Sequence, residues 1–498
     1  MFLEAFRVLK KTGPKAMALF TAFILLTLSL SAFPDRAFGD EVTREDINAA
    51  RMALPVSSND IPGWPQGPDT GSESAILMDA DTGVILYAKN IDIQHYPAST
   101  TKVMTCLLAA ENCSMDEMVG FSNNAVFGID RGSSNVGMDV GQEITMEEAL
   151  YCVMLASANE VAVAVAEHIS GSVEEFSELM NKRAKELGCT NTHFVNPNGL
   201  PDEEHLTTAH DLALIAKAFN ENETLRRISG TRIYEVKATS TQPDTFMMTN
   251  HHKMYPGNSL SYDYTTWGKT GYTNVARETL VTCAEKDGMN LICVVMKSEP
   301  PLQYTDTYNL FEYGFQNFEK LNIAENETKY NLDSSDFFNS DNGIFGNTKT
   351  LVSLSTDGYV MIPKTASFED LTSEVNYDDK NGDSLAKVTY SFGDVYVGET
   401  DVLLADSNMK TYLFGESVSE NSAESLSADG TPGFDNDDVV FLDIKKVLII
   451  AGIAVGAVLI ILLIILFIKN YFFSAQRRRR KIRKRNRRYF SEFDDFDF

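Results

Sequence analysis

Between residues 75 and 300 the spacing of apolar positions changes period several times. Ala75 to Met78 and Val84 to Tyr87 are short β-rich runs joined by Asp79-Ala80-Asp81-Thr82-Gly83, a turn composition in which Gly supplies positive φ, so they predict a hairpin. From Thr100 to Asn112 the period becomes helical, and helices are predicted again at Met146 to Leu155, Val161 to Ile169 and Val173 to Leu187. Thr208 with Asp211 predicts a capped helix running to Phe219, which leaves neither residue in need of a catalytic role. Strand patterns return at Arg232 to Val236, Thr279 to Ala284 and Leu291 to Met296, with an Asp287-Gly288 turn between the last two. Strands first, helices in the middle and strands last predict one sheet with its terminal strands adjacent and a helical subdomain inserted.

The flanks read differently. Beyond Glu319 the chain breaks into short β-rich runs such as Tyr359 to Ile362, Ala386 to Phe392 and Asp401 to Ala405, which predict a small all-β domain over 319–415 acting as a spacer. Residues 416–446 are rich in Ser, Asp and Glu and predict a flexible acidic linker. Val447 to Ile468 carries no charge and is long enough for a transmembrane helix, and the basic run after it, residues 469–498, is expected to stay in the cytoplasm. At the other end, Arg7, Lys10, Lys11 and Lys15 precede an apolar run from Ala16 to Leu30, the pattern of a signal peptide expected to end at Gly39, with a polar lead-in over 40–74. The body between these segments is then extracytoplasmic and the protein a single-pass membrane protein.

Composition narrows the chemistry. The 498 residues carry a formal charge of −27, and the basic tail makes the remainder more acidic still, which argues against nucleic acid as a partner. The six cysteines are dispersed without a C-x-x-C pair, and no His stands at zinc-ligand spacing, so neither a metal nor another cofactor is expected. Cys283 and Cys293 fall in neighbouring predicted strands, where a disulfide is left open.

Three short motifs occur in order: Ser99-Thr100-Thr101-Lys102, Ser157-Ala158-Asn159 and Lys269-Thr270-Gly271. Each alone has an ordinary reading, as a helix cap with a solvated lysine or as a polar sheet edge. Together they have chemical sense. Ser99 at a helix start has the Lys102 amine one turn on and on the same face, where it can take the hydroxyl proton if its pKa is depressed by burial and by a second cation, for which Lys269 is the candidate. Ser157 and Asn159 fall between two predicted helices, and Lys269 to Gly271 precede the last hairpin, on or beside an edge strand that an extended peptide ending in a carboxylate could join.

These motifs resemble those of the serine penicillin-binding proteins and β-lactamases. Within that group the chain is most similar to the low-molecular-mass D-Ala-D-Ala carboxypeptidases, through Tyr96 to Lys102, Leu155 to Ala162 and Asn191 to Leu200, over about residues 75–318. The resemblance implies an α/β fold of the transpeptidase type, an antiparallel sheet flanked by helices. It also implies removal of the terminal D-Ala from peptidoglycan stem peptides through an acyl-enzyme on Ser99, with β-lactam antibiotics as covalent inhibitors. Lys102 would be the base, Ser157 would relay a proton, and Asn159 would hold Lys102 and substrate. Lys269, Thr270 and Gly271 would bind the terminal carboxylate, and the backbone N–H groups of Ser99 and Tyr272 would form the oxyanion hole.

Two departures from the family pattern, Thr266-Trp267-Gly268 before the last motif and Ala276-Arg277 after it, bear on substrate preference, although a solvated loop is the more ordinary setting for Arg277. A D,D-endopeptidase would use the same residues. A β-lactamase would want a Glu-x-x-x-Asn between Asn159 and Lys269, which is not found. A non-catalytic penicillin-binding sensor would have little need of both Ser99 and Lys102.

Overall fold

The computed structural model describes residues 43–130, 132–328, 352–377 and 384–404. The signal sequence, the acidic linker, the apolar run Val447 to Ile468 and the basic tail lie outside these residues. Among the described residues no helix is long and apolar enough to cross a membrane.

Helix α1 (Arg44–Met52) leads in and is followed by the hairpin β1 (Ser74–Asp79) and β2 (Ile85–Lys89). A short 3₁₀ turn, Ala98–Thr101, runs into α2 (Lys102–Asn112). Next come β3 (Met118–Gly120), α3 (Asn123–Phe127), β4 (Glu143–Thr145), α4 (Met146–Leu155), α5 (Asn159–Ser170), α6 (Val173–Glu186), α7 (Ala209–Glu221) and α8 (Glu223–Gly230). The small hairpin β5 (Ile233–Val236) and β6 (Phe246–Thr249) precedes the long strands β7 (Thr265–Thr273), β8 (Arg277–Lys286) and β9 (Met289–Ser298) and then α9 (Leu302–Asn317). Side-chain caps begin many of these helices. Thr145 and Glu148 form a reciprocal capping box on α4, and Thr208 accepts from the Asp211 N–H on α7.

The central sheet has the order β2-β1-β9-β8-β7 and is antiparallel throughout. The first and last strands of the predicted set are therefore adjacent, with the helices inserted between them in sequence. Both faces of this sheet are dry at its centre, which is why β1 and β9 read as nearly continuous apolar runs. Along β9, Ile292, Val294 and Met296 enter a core shared with the inserted helices, whereas Leu291, Cys293 and Val295 enter a second core beneath α9. Cys283 lies in the first core and Cys293 in the second, so their side chains leave opposite faces and cannot pair. All six cysteines are free thiols.

After α9 the chain forms a second antiparallel sheet from β10 (Phe318–Asn322), β11 (Val352–Leu354), β12 (Tyr359–Pro363), β13 (Thr372–Asn376), β14 (Ser384–Phe392) and β15 (Val395–Leu404), in the order β10-β12-β15-β14-β13 with β11 also on β15. This second sheet packs directly on the first. Val360, Ile362, Val388 and Tyr390 belong to the same hydrophobic core as Leu77, Leu86 and Leu291 of the central sheet. Trp64 packs on Phe318 at 5.1 Å and on Phe392 at 6.2 Å between ring centroids. The Lys320 ammonium pairs with Asp81 at 2.5 Å.

A chain ending at Phe318 would expose that shared face. Its melting temperature is expected to fall by about 5 °C or more relative to a chain ending at residue 404, a shift of the size that losing a few kcal/mol of apolar burial gives in a domain this large. Equal melting temperatures would show that the second sheet packs without supporting the first.

Candidate active site

The nucleophile candidate sits where the local backbone is least relaxed. Ala98, just before Ser99, has φ 50°, and Ser157 has φ 59°, left-handed conformations that few non-glycine residues adopt. The first is fixed by packing from elsewhere. Gly199 lies so close to the Ala98 carbonyl that a Cβ on it would stand 1.8 Å from that oxygen. Thr105 Oγ1 donates to the Pro197 carbonyl at 2.6 Å, holding the turn that carries Gly199 against α2. His205 Nδ1 accepts from the Val195 N–H, so Nε2 carries the proton and can donate to Thr101 Oγ1 at 2.9 Å. Burial pushes the His205 pKa down to about 4 and keeps this ring neutral.

Lys102, the first residue of α2, is fully buried. Its Nζ lies 2.7 Å from Asn159 Oδ1, 2.6 Å from the Asn198 carbonyl and 3.1 Å from Ser99 Oγ. Burial first, and the Lys269 cation second, push its pKa well below the ordinary lysine value. A neutral amine has two N–H groups and one lone pair. Asn159 Oδ1 and the Asn198 carbonyl can only accept, so they take the two N–H groups. The lone pair is left for the one neighbour that can donate, the Ser99 hydroxyl.

Ser157 is in the turn between α4 and α5, and Asn159 opens α5. Lys269 Nζ donates to Ser157 Oγ at 3.1 Å and to the Thr270 carbonyl at 2.9 Å. Its pKa is lowered by burial to about 7. Lys269 is only 1% exposed, so its amine lies behind Ser157, whereas Thr270 reaches the cleft wall. Strand β7 is the free edge of the central sheet and passes directly beside Ser99. A Cβ on Gly271 would lie 3.0 Å from the Ser99 N and 2.3 Å from Thr279 Oγ1, so only glycine allows this approach. Ser99, Ser157, Asn159, Thr270, Gly271 and Tyr272 line one cleft of about 480 Å³.

All the residues singled out from the motifs thus converge, but sequence reasoning missed several others. Asn198 supplies Lys102 with a main-chain acceptor, and Ser133, Ser134, Glu278 and Tyr304 also line the cleft. Trp267, read as a variable of substrate preference, is fully buried, packs tilted on Phe219 with ring centroids 4.4 Å apart and donates its indole N–H to Asn220 Oδ1. Arg277 is not a solvated loop residue. It opens β8 and forks onto Glu299 at 2.9 and 2.5 Å.

A hydroxyl facing a buried amine whose pKa is lowered, beside a free strand edge on an antiparallel sheet with inserted helices, defines an active-site serine hydrolase of the penicillin-binding fold. The model of the D-alanyl-D-alanine carboxypeptidase family, peptidase S11, matches residues 63–299. The chain is 37% identical over 257 residues to the D-alanyl-D-alanine carboxypeptidase DacF of Bacillus subtilis, a match that spans 50% of this chain and 63% of that one. It is 30% identical over 254 residues to DacB2 of Mycobacterium tuberculosis, spanning 50% of this chain and 84% of that one. Among solved structures, penicillin binding protein 5 from Haemophilus influenzae aligns with a TM-score of 0.54 at 26% identity, over 68% of this chain and 98% of that one. The chain belongs to the D-alanyl-D-alanine carboxypeptidase family and is by that membership a serine-type peptidase.

Lys269→Met would remove the cation that adds to burial in depressing Lys102. The Lys102 pKa should rise, so the acid limb of Ser99 acylation by penicillin should move to higher pH while staying below the ordinary lysine range, because burial remains. Acylation rates measured across pH check this, and a limb that stays put or moves down would exclude Lys269 as the tuning charge. The linkage also has a sign for stability. The folded Lys269 pKa of about 7 lies below the unfolded one, so the unfolded chain binds more protons between these values and the contribution of this group to stability rises with pH across that window.

Proposed function

We propose that this protein removes the C-terminal D-Ala from peptides ending in D-Ala-D-Ala, as found on peptidoglycan stems, through an ester on Ser99. The observation that carries the reading is the buried Lys102 amine, held by Asn159 Oδ1 and the Asn198 carbonyl and 3.1 Å from Ser99 Oγ.

In the first step Ser99 Oγ attacks the carbonyl carbon of the penultimate D-Ala, and its proton passes to Lys102 Nζ. The negative charge that develops on the carbonyl oxygen is held by the N–H groups of Ser99 and Tyr272, which act on charge present in the transition state. When the C–N bond breaks, the proton taken up by Lys102 is returned by way of Ser157 Oγ, which Lys269 steadies at 3.1 Å, to the departing amine, and Lys102 is again a free base. Water then attacks the ester and gives its proton to Lys102, which passes it to Ser99 Oγ as the C–O bond breaks, so that the carboxylate product and the Ser99 hydroxyl are released. The terminal carboxylate of the substrate is held by Thr270, with the Lys269 charge acting from behind Ser157. Gly271 leaves the strand edge bare for the peptide backbone.

The assay is incubation of the soluble region, residues 40–440, with such a peptide. Free D-Ala is expected, with the internal bonds intact. Ser99→Ala should abolish both release and the penicillin adduct, and Lys102→Ala should lower kcat by about a hundredfold or more with a smaller change in KM, the pattern of a group acting in the transition state. Penicillin should label Ser99 and leave slowly. Rapid penicillin turnover would support a β-lactamase instead, and release from cross-linked dimers alone an endopeptidase.

The apolar run Val447 to Ile468 and the basic residues after it support a C-terminal anchor with the catalytic body outside the membrane and the tail in the cytoplasm. Protease added to intact cells should digest the catalytic body and spare the tail, and the reverse pattern would invert this topology.

A further inference from the structure

Tyr272 and Arg277 stand at the two sides of the β7–β8 turn, whose tip residues Tyr272 and Val275 are half exposed. Strand pairing sets Tyr272 opposite Glu278 and Thr273 opposite Arg277, the Ala276 N–H donates to Thr273 Oγ1 at 3.0 Å and the Tyr272 hydroxyl to Asn274 Oδ1 at 3.3 Å, and Arg277 adds a tie that reaches beyond the turn. Arg277 Nε and Nη2 donate to the two Glu299 oxygens, a planar fork that fixes the guanidinium in direction as well as distance. The same guanidinium carbon lies 5.8 Å from the centre of the Tyr272 ring, with Nη1 3.5 Å from its hydroxyl.

The anchor at the other end is firm. The Glu299 side chain is 5% exposed, and Arg51 at 3.5 Å and Arg44 at 3.8 Å, both from α1, also approach it. Arg277 hydrogen bonds, ahead of the other charges, keep the Glu299 carboxyl below its ordinary value despite burial. Glu299 runs directly into Pro300 and Pro301, which line the cleft together with Tyr272. Arg277 accepts a left-handed backbone, φ 57°, to make this connection, in a place where glycine would meet no strain.

We propose that Arg277 is a positioning residue: forked onto Glu299 and lying against the Tyr272 ring, it fixes the end of β7 and with it the Tyr272 N–H that faces the reacting carbonyl. The inference rests on the assignment of that N–H to the oxyanion hole. Arg277 is absent from the cleft lining, so its effect passes through Tyr272 and not through contact with substrate.

The test compares wild-type full-length protein with Arg277→Gly, Arg277→Lys and Glu299→Gln, measuring D-Ala release, penicillin acylation of Ser99 and thermal melting. Arg277→Gly relieves the backbone strain while cutting the tie. It should therefore melt no lower than wild type yet lose about tenfold or more in kcat and in acylation rate, with KM changed by less than about threefold, the pattern of lost transition-state geometry. Glu299→Gln should lower kcat in the same direction, and Arg277→Lys, which keeps the charge but not the fork, should fall between Gly and wild type. Unchanged kcat in Arg277→Gly would overturn the proposal. So would a rise in KM alone, which would make Arg277 a binding group, or a parallel fall in melting temperature and kcat that Lys does not restore. A wild-type protein that neither releases D-Ala nor is acylated would sink the oxyanion assignment itself, and this proposal with it.

Discussion

The site depends on keeping one amine uncharged inside the protein. An ammonium at the Lys102 position would lose its hydration, face a second lysine and sit at the start of α5, where the helix dipole is positive. Against these stand two acceptors, Asn159 Oδ1 and the Asn198 carbonyl, which bond to either form. The balance favours the free base, and the geometry then decides what that base can do. With both N–H groups spent, the remaining lone pair has Ser99 as its one proton donor.

Much of the surrounding fold serves this requirement. The two acceptors come from separate segments, the start of α5 and the turn around Pro197 to Leu200, so both have to be fastened against α2. Helix packing does the first. The second is held by Thr105, by neutral His205 on Thr101, and by the side chains of Asn196 and Asn198, which cap the backbone N–H groups of Gly199 and Leu200. The left-handed backbone at Ala98 is strain that persists because these contacts hold Gly199 against its carbonyl. The sheet beneath is dry on both faces, which gives β7 a rigid base from which to bring Gly271 up to the nucleophile.

What could be read from the sequence was local. The hairpin at Ala75 to Tyr87, the helix at Met146 to Leu155 and the cap at Thr208 follow from period and turn chemistry within a few residues. The three motifs were legible because their side chains are chemically distinctive. Asn198 was not, since its contribution to Lys102 is a main-chain carbonyl, which every residue possesses. The need for glycine at 199 comes from Ala98, about a hundred positions away. The burial of Trp267 beside Asn220 and the ion pair of Arg277, for which a solvated loop was the more ordinary setting, were not visible for the same reason: their partners, Asn220 and Glu299, lie on other elements. The shared core of the two sheets was hidden likewise, because a strand such as β14, which alternates buried and part-exposed positions, does not announce what covers its apolar face.

The central claim is that Lys102 rests as a free amine, and its titration can be observed directly. Protein labelled with carbon-13 at the lysine side chains, with Lys102 assigned by comparison with Lys102→Met, would give its pKa from the pH dependence of the Cε signal. The account predicts a midpoint well below the ordinary lysine value of about 10.4, coinciding with the acid limb of Ser99 acylation. A Lys102 signal that stays that of an ammonium up to the ordinary lysine range would contradict it.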